Sequence, residues 1–147
     1  MTRIATFDPR DGYAGVLALV EANKAEAEAH IPHPITVDLP LYERLYDAGM
    51  LVCVGAYDGA QIVGYAIAGL SPSLHYGVLV AQHLTLYITP QHRKPRLSLR
   101  MVDALTDACK ARGAQMMTWH AKPGSAFARL LAARMKLEDL VYLQEIE

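Results

Sequence analysis

The sequence has little of what marks several large classes of protein. It has two cysteines, Cys53 and Cys109, and no CxxC pair, which argues against a disulfide scaffold and indicates two buried free thiols in a reducing compartment. It has no apolar run near the roughly 18 residues that a membrane-spanning helix needs, and residues 1–12 carry no signal-peptide pattern. We therefore expect a cytoplasmic protein without membrane contact.

The chain also lacks an excess of charge of either sign. Lys and Arg number 14 against 15 Asp and Glu, so the net charge of −1 gives no field that attracts nucleic acid. One local cluster departs from this balance, because Arg93, Lys94, Arg96 and Arg100 crowd together without an aromatic residue among them. The composition, 52% hydrophobic and 20% charged, suffices for one packed core, and we expect a single domain over residues 1–147.

The spacing of apolar residues predicts the elements of the first half of the chain. In order, these are a strand over 3–8, a helix over 13–29 capped by Asp11, a helix over 41–49, and two strands over 50–57 and 60–70. The prolines of residues 30–40 separate the two helices. Asp58-Gly59 between the two strands predicts a hairpin.

The second half of the chain alternates between strands and helices. The predicted elements are a strand over 79–89, a helix that starts after Pro95, a strand over 114–121, a helix over 126–136 and a last strand over 137–146. The order is β-α-α-β-β-β-α-β-α-β. Three consecutive strands favour antiparallel pairing, and the later strand–helix–strand unit requires a parallel crossover. We therefore expect an α/β fold whose central sheet is mixed and mostly antiparallel, with helices on both faces.

The turn before the third helix lacks the glycines that phosphate-binding turns usually contain. It lies in the stretch YITPQHRKPRLSLRMVDAL, residues 87–105. Pro95 has no N–H to donate, whereas the N–H groups of the next four residues remain available at the start of a helix. The nearby cations offer charge-assisted contacts to an anion. A phosphate site and an ordinary solvated turn both remain possible on this evidence.

The element order and the stretch LTLYITPQHRKPRLSLRMVDAL, followed by ARGA, resemble the GNAT superfamily of acyl-CoA-dependent N-acyltransferases. The resemblance covers essentially the whole chain. Two segments, SPSLHYGVLVAQHLTLYITPQHR and KPGSAFARLLAARMKLEDLVYLQEI, are most similar to the compact members that phages encode. The resemblance implies transfer of an acetyl or other acyl group from acyl-CoA, acetyl-CoA for example, to an unknown amine.

The coenzyme loop of this superfamily reads Arg or Gln, two residues, Gly, one residue, then Gly or Ala. On this chain it begins at Arg93, the first glycine position falls on Arg96 and the second on Ser98. Arg96 either contacts the phosphates or occupies their place, and a positive φ there would strain a bulky residue. The resemblance implies these coenzyme-binding residues: Leu86, Tyr87, Ile88, Arg93, Lys94, Arg96, Leu97, Ser98, Leu99 and Ser125.

Two histidines are candidates for the general base of such a reaction. His83 falls on the fourth strand where related sequences often carry Asp or Glu, and a histidine with a pKa of about 6.5 suits removal of a proton from an ammonium group. His120 ends the fifth strand, next to the expected cleft. Each could instead be a structural histidine. Ala132 stands where many relatives have the tyrosine that protonates the thiolate.

The spacing of His30 and His33 does not indicate a metal site. Pro32 interrupts any helix that would bring the two rings together, and no carboxylate or cysteine cluster accompanies them. We expect no metal.

Two classes of function remain open at this stage. One is an N-acyltransferase, favoured by His83 and Arg93. The other is a catalytically inactive GNAT-fold phage accessory or virion protein that acts through protein–protein contacts, favoured by the altered glycine and the missing tyrosine. A phage-encoded protein would work in the host cytoplasm or the virion. The sequence identifies neither the acceptor nor the oligomeric state.

Overall fold

The computed structural model describes residues 2–146 as a five-stranded sheet with helices on both faces. The strands, in their order across the sheet, are β1 (Arg3–Thr6), β2 (Leu51–Asp58), β3 (Gln61–Pro72), β4 (Leu79–Ile88) and β5 (Ala114–Thr118). The helices are α1 (Pro9–Ala27), α2 (Leu39–Asp47), α3 (Pro95–Ala111) and α4 (Ala126–Ala132). Neighbouring strands are antiparallel except β4 and β5, which are parallel. The expected mixed, mostly antiparallel α/β sheet is confirmed.

The two faces of the sheet bury two separate apolar clusters. The cluster under α3 includes Val52, Val54, Val63, Met101 and Leu105. The cluster under α1 and α2 includes Val16, Leu19, Leu51, Cys53, Tyr65, Ile67 and Tyr87. Consecutive residues of β2 therefore face opposite sides, as strand geometry requires. Cys53 and Cys109 are buried free thiols, and burial raises the pKa of both, to about 12 and about 11.

A β-bulge in β4 determines which side chains reach each face. Ile67 of β3 pairs with Thr85, whereas the next residue, Ala68, pairs with His83, so Leu84 is the extra residue. Before the bulge, Ala81 packs in the α3 cluster. After it, Tyr87 packs in the α1 cluster. Ala81 and Tyr87 are six residues apart, so strict alternation would put both side chains on one face of the sheet. The extra residue at the bulge reverses which face each later side chain of β4 points to.

Strands β4 and β5 separate where this bulge begins. Their register runs from Leu79 opposite Ala114 to Gln82 opposite Thr118. Residues 83–88 of β4 continue along β3 but have no strand partner on the β5 side among residues 2–146. The unpaired edge of a strand offers backbone N–H and C=O groups to a ligand.

Two helices begin earlier than the sequence analysis predicted. Asp8, not Asp11, caps α1 through a hydrogen bond from the Arg10 N–H (3.0 Å), and Asp38 caps α2 through the Leu41 N–H (3.0 Å). In both helices a proline lies in the first turn, where its missing N–H costs nothing.

The predicted last strand, residues 137–146, does not form among the described residues, and α4 ends at Ala132 instead of residue 136. Four consecutive apolar residues, 140–143, give this segment no alternation that could bury one face against a sheet. Its large apolar side chains are exposed: Leu137, Leu140, Val141, Tyr142, Leu143 and Ile146. Near its end, Glu145 contacts His33 Nε2 (3.3 Å).

None of the helices described for residues 2–146 has both the length and the apolar character needed to cross a bilayer.

Candidate active site

Two histidines meet where β4 and β5 separate. His83 follows the last paired residue of β4, and His120 lies two residues beyond β5. The backbone N–H of His120 donates to His83 Nδ1 (3.2 Å), and His120 Nδ1 lies 2.9 Å from the carbonyl oxygen of His83. Two hydrogen bonds thus hold the rings at a centroid distance of 6.4 Å. The structure brings together the two catalytic candidates that the sequence identified.

For the neutral forms of the two rings, these hydrogen bonds assign opposite tautomers. His83 Nδ1 accepts a hydrogen bond, so the proton of that ring is on Nε2. A carbonyl oxygen can only accept, so His120 carries its proton on Nδ1 and has a free lone pair on Nε2. The pair therefore offers one donor, His83 Nε2–H, and one acceptor, His120 Nε2.

Aromatic side chains enclose His83. Its ring stacks on Trp119 (centroids 4.9 Å apart) and meets the edge of Phe127 from α4 (5.9 Å), and only 4% of the residue is exposed. Burial, and secondarily the neighbouring His120, lowers the pKa of His83 to about 4. The Thr85 carbonyl acts in the opposite direction but does not reach hydrogen-bonding geometry, so His83 Nε2 is buried without a partner.

This environment does not favour His83 as a general base. At neutral pH the ring is neutral, but its lone pair on Nδ1 is already engaged by the His120 N–H. The free lone pair belongs to His120, which is only half-buried. The geometry thus favours the second candidate over the first.

A polar group lies on the other face of the bulge and was missed by the sequence analysis. Thr85 Oγ1 accepts from Asn23 Nδ2 (3.3 Å) and lies 3.4 Å from the buried Tyr65 hydroxyl. Burial raises the pKa of Tyr65. Asn23 follows the apolar residues Val16 and Leu19 at i+7 and i+4, and such a polar residue within the buried stripe of a helix is the signal that could have found it.

Arg93, the first residue of the coenzyme-loop pattern, has a structural role in this arrangement. Its Nε donates to the Ile88 carbonyl oxygen (2.8 Å), and both terminal nitrogens bind the Glu26 carboxylate, Nη2 at 2.6 Å. The guanidinium also lies over the Tyr87 ring (5.2 Å) and lowers the pKa of Glu26. Arg93 therefore ties the end of β4 to α1, and each of its three side-chain nitrogens already makes a contact within the protein.

The other cations of the turn line a cavity of about 190 Å³ at the start of α3. Lys94 and Arg96 lie on this cavity and have no carboxylate within 4.0 Å in residues 2–146, whereas Arg100 donates to the Thr2 carbonyl oxygen (3.0 Å). The complete lining is Thr2, Gln91, His92, Lys94, Arg96, Leu97 and Arg100. The turn thus leaves two cations free for an anion.

Arg96 fits the start of α3 without strain. Among the described residues no residue other than glycine has a positive φ, so the strain considered for Arg96 is absent. At about 100° per residue, Arg96 and Arg100 share one flank of α3, and Ser98 lies on the opposite flank. The Arg96 side chain therefore does not occupy the flank of the second small position.

The backbone of the turn offers fewer free amides than the sequence suggested. The N–H groups of Leu97 and Ser98 both donate to the Lys94 carbonyl (3.0 and 3.1 Å), and Leu99 lies a full turn inside the helix. Pro95 has none, so the Lys94 and Arg96 N–H groups are the free amides at this helix start within residues 2–146.

The remaining predicted coenzyme residues lie apart from this turn. Ile88 is buried and Leu86 packs beside it in the α3 cluster, while Tyr87 faces the α1 side. Ser125 caps α4, because its Oγ accepts from the Ala128 N–H (3.0 Å). Residues 2–146 contain no group of three or more side chains that could hold a metal ion.

Comparison with known proteins adds to this geometry. A sequence profile of the acetyltransferase (GNAT) family matches residues 16–136, which is most of the chain. A search of curated proteins finds no match.

Solved structures of similar fold cover the whole chain. The ribosomal-protein-alanine N-acetyltransferase from Brucella melitensis biovar Abortus 2308 has a TM-score of 0.78 and 19% identity, over 100% of this chain and 99% of that one. The aminoglycoside acetyltransferase meta-AAC0020 from an uncultured soil metagenomic sample, in complex with sisomicin, has a TM-score of 0.78 and 12% identity. The match covers 99% of this chain and 97% of that one. AAC(6')-Iy in complex with the bisubstrate analog CoA-S-monomethyl-acetylneamine has a TM-score of 0.75 and 15% identity, and the match covers 99% of both chains.

At these identities the structural similarity concerns the fold, whereas the family profile extends over most of the sequence. The five-stranded mixed sheet agrees with both. The chain belongs to the acetyltransferase (GNAT) family.

Proposed function

We propose that the protein is an N-acetyltransferase that moves the acetyl group of acetyl-CoA to an amine. The observation that carries this proposal is the free Nε2 lone pair of His120 beside the unpaired edge of β4. Family membership supports the reaction class, and the neighbour AAC(6')-Iy, solved with a coenzyme A bisubstrate analog, supports the acyl donor.

The unpaired part of β4 suits the pantetheine arm of the coenzyme. The arm is extended and contains amide groups, so it can hydrogen-bond to an exposed strand edge as another strand would. Ile88 lies at the end of this edge, and its carbonyl is already used by Arg93. We therefore place the arm along residues 84–87, with the acetyl group toward His120.

The phosphates of the coenzyme would bind at the start of α3. A helix N-terminus favours anions, and the free Arg96 amide together with the Lys94 and Arg96 side chains adds donors at the 190 Å³ cavity. Side-chain cations thus substitute for the amides that a glycine-rich loop would supply. Arg93 contributes indirectly, because it fixes the strand end next to the cavity.

His120 acts as the general base in this proposal. Its Nε2 takes a proton from the acceptor ammonium, directly or through one water, and the neutral amine attacks the thioester carbonyl carbon. The C–N bond forms as the carbonyl becomes an oxyanion; the C–S bond then breaks, and the thiolate leaves. The imidazolium of His120 returns its proton to that thiolate, so the missing tyrosine at Ala132 is not needed. The attacking nitrogen loses its surplus proton to solvent as the amide forms.

A protein-binding role without catalysis is the second candidate. The exposed apolar side chains of residues 137–146 favour it, because such a patch is typical of a contact surface. This candidate retains the prediction of a phage accessory or virion protein in the host cytoplasm or virion. It would bind no acetyl-CoA.

Calorimetry with acetyl-CoA, followed by a thiol-release assay over a panel of amines, separates the two candidates. The acetyltransferase should bind acetyl-CoA and release free coenzyme A only when an amine acceptor is present. Absence of binding at millimolar acetyl-CoA would rule the enzyme out and leave the protein-binding role. Binding without turnover for any amine in the panel would indicate a coenzyme-binding protein that has lost catalysis.

A further inference from the structure

We propose that His83 donates a hydrogen bond from Nε2–H to the thioester carbonyl oxygen of the bound acetyl donor and thereby polarises that carbonyl for attack. The inference rests on the proposed function, since it needs acetyl-CoA at the separation of β4 and β5. His83 is then a hydrogen-bond donor, whereas its position in the sequence suggested a general base.

The first support is that Nε2 lacks a partner. A buried N–H group without an acceptor is destabilising, and proteins rarely leave one in this state without a functional reason. In residues 2–146, His83 Nε2 is the buried side-chain nitrogen or oxygen with no hydrogen bond. No group of the described residues supplies the missing acceptor.

The second support is that the ring is fixed as a donor. The His120 backbone N–H occupies Nδ1, and the Trp119 ring holds the imidazole plane within 23° of its own. A ring held this way cannot exchange its tautomer without losing the Nδ1 contact. The donor is therefore preorganised, which is the condition for stabilising charge that develops on an oxygen.

Because His83 Nε2–H is a donor, the ligand group that binds it must be a hydrogen-bond acceptor and need not exchange a proton with the ring. A neutral imidazole does not release its remaining proton at neutral pH, so His83 is not suited to protonate the thiolate. It can donate a hydrogen bond to a carbonyl oxygen, as neutral histidines do in enzymes that polarise carbonyls. The thioester carbonyl is the group whose oxygen gains charge during acetyl transfer.

The third support is location. His83 is the first β4 residue beyond the pairing with β5, and its ring lies beside His120, which carries the free lone pair. A thioester bound beside the pair would meet the donor of His83 and the base that His120 offers to the incoming amine. One pair of hydrogen-bonded histidines thus supplies both functions.

Isotope-edited spectroscopy tests the hydrogen bond without relying on turnover. With acetyl-CoA labelled with ¹³C at the carbonyl, we expect the carbonyl stretch to move to lower frequency on binding to the native protein. His83→Phe keeps a flat ring against Trp119 but has no N–H, so the shift should be lost. His83→Gln keeps an amide that can accept from the His120 N–H and donate to the carbonyl, so part of the shift should return.

Nitrogen-15 spectra of the histidine side chains provide a second measurement on the native protein, so the test does not depend on whether the variants fold. The Nε2–H signal of His83 should move when acetyl-CoA binds and stay in place when coenzyme A, which has no acetyl carbonyl, binds. In kinetics, His83→Phe should lower kcat roughly 10- to 100-fold with a KM for acetyl-CoA within about threefold of the native value, and His83→Gln should recover part of the loss.

The failures are distinguishable. If acetyl-CoA does not bind at all, the proposed function fails and this inference fails with it. If acetyl-CoA binds but neither the carbonyl stretch nor the His83 Nε2–H signal responds, the inference alone is wrong. If His83→Phe keeps the native kcat, the donor has no catalytic role.

Discussion

The basic turn and the histidine pair are both polar, but they differ in which of their groups are already used. In the turn, Arg93 resembles a ligand-binding residue by its position in the family pattern, yet all three of its nitrogens bind the protein itself. In the pair, His83 resembles a buried core residue, yet its Nε2 binds nothing. In this protein, an unpaired hydrogen-bond donor or acceptor therefore indicates function better than residue type does.

Removal of His120 should give the largest effect, because it removes the one free lone pair of the histidine pair. His120→Ala should lower kcat/KM by about 100-fold or more, the usual range for loss of a general base. His75→Ala is the matched control, since His75 is an exposed histidine in the β3–β4 loop and should keep native kinetics. Steady-state assays of thiol release measure both. Native turnover by His120→Ala would mean that the geometry names the wrong base.

Acid should destabilise the protein through His83. Its folded pKa of about 4 is below the unfolded value of about 6.5, so protons bind preferentially to the unfolded state. Stability is thus unaffected by this group above pH 6.5 and falls as the pH drops from 6.5 toward 4. Urea unfolding should show about 2 kcal/mol less stability from this group at pH 4.5 than at pH 7.

His83→Gln removes the titrating ring and should abolish this part of the pH dependence. The other carboxylates and histidines contribute equally to both proteins, so the difference between native and variant isolates His83. An identical pH profile for the two proteins would show that the ring is not held neutral by burial.

Apolar periodicity predicted most of the fold, because it reports directly on burial. The hairpin of β2 and β3 and the stripe on α3 that contains Leu97, Met101 and Leu105 are where the sequence places them. The starts of α1 and α2 were placed too late, since an Asp followed by a nearby Pro was read as the end of a strand or as loop, whereas it is an N-cap and first turn. The last strand, over residues 137–146, was predicted from its apolar composition. A strand also needs a neighbouring strand to pair with, and composition does not report one.

The candidate site was less predictable, because it depends on contacts between distant residues. The sequence identified His83 and His120, but not the bulge at Leu84 that sets the facing of β4, since one extra residue leaves no mark on an apolar strand. Nothing local links Arg93 to Glu26, which is 67 residues earlier. Tautomers follow from hydrogen-bond partners, and these appear only in the folded chain.

The free cations of the turn should matter less than the base. Arg96→Ala should weaken acetyl-CoA binding about tenfold, the size expected for one exposed charge-assisted contact, and Lys94→Ala by a similar factor. Because screening weakens exposed charges, the loss should shrink as salt is raised. Lys110→Ala, at the opposite end of α3, is the control. Calorimetry is the measurement, and unchanged affinity in both variants would exclude the 190 Å³ cavity as the phosphate site.

Arg93→Met should have the smallest effect, and it should affect stability more than binding. The substitution removes the bond to the Ile88 carbonyl and the partly exposed pair with Glu26, so unfolding should cost about 1 kcal/mol less. Glu26→Gln should cause part of the same loss, and the double variant should lose less than the sum because the two residues are partners. If Arg93→Met instead keeps native stability and loses acetyl-CoA affinity, the guanidinium leaves Glu26 for the coenzyme, and the turn is a ligand-binding arginine site after all.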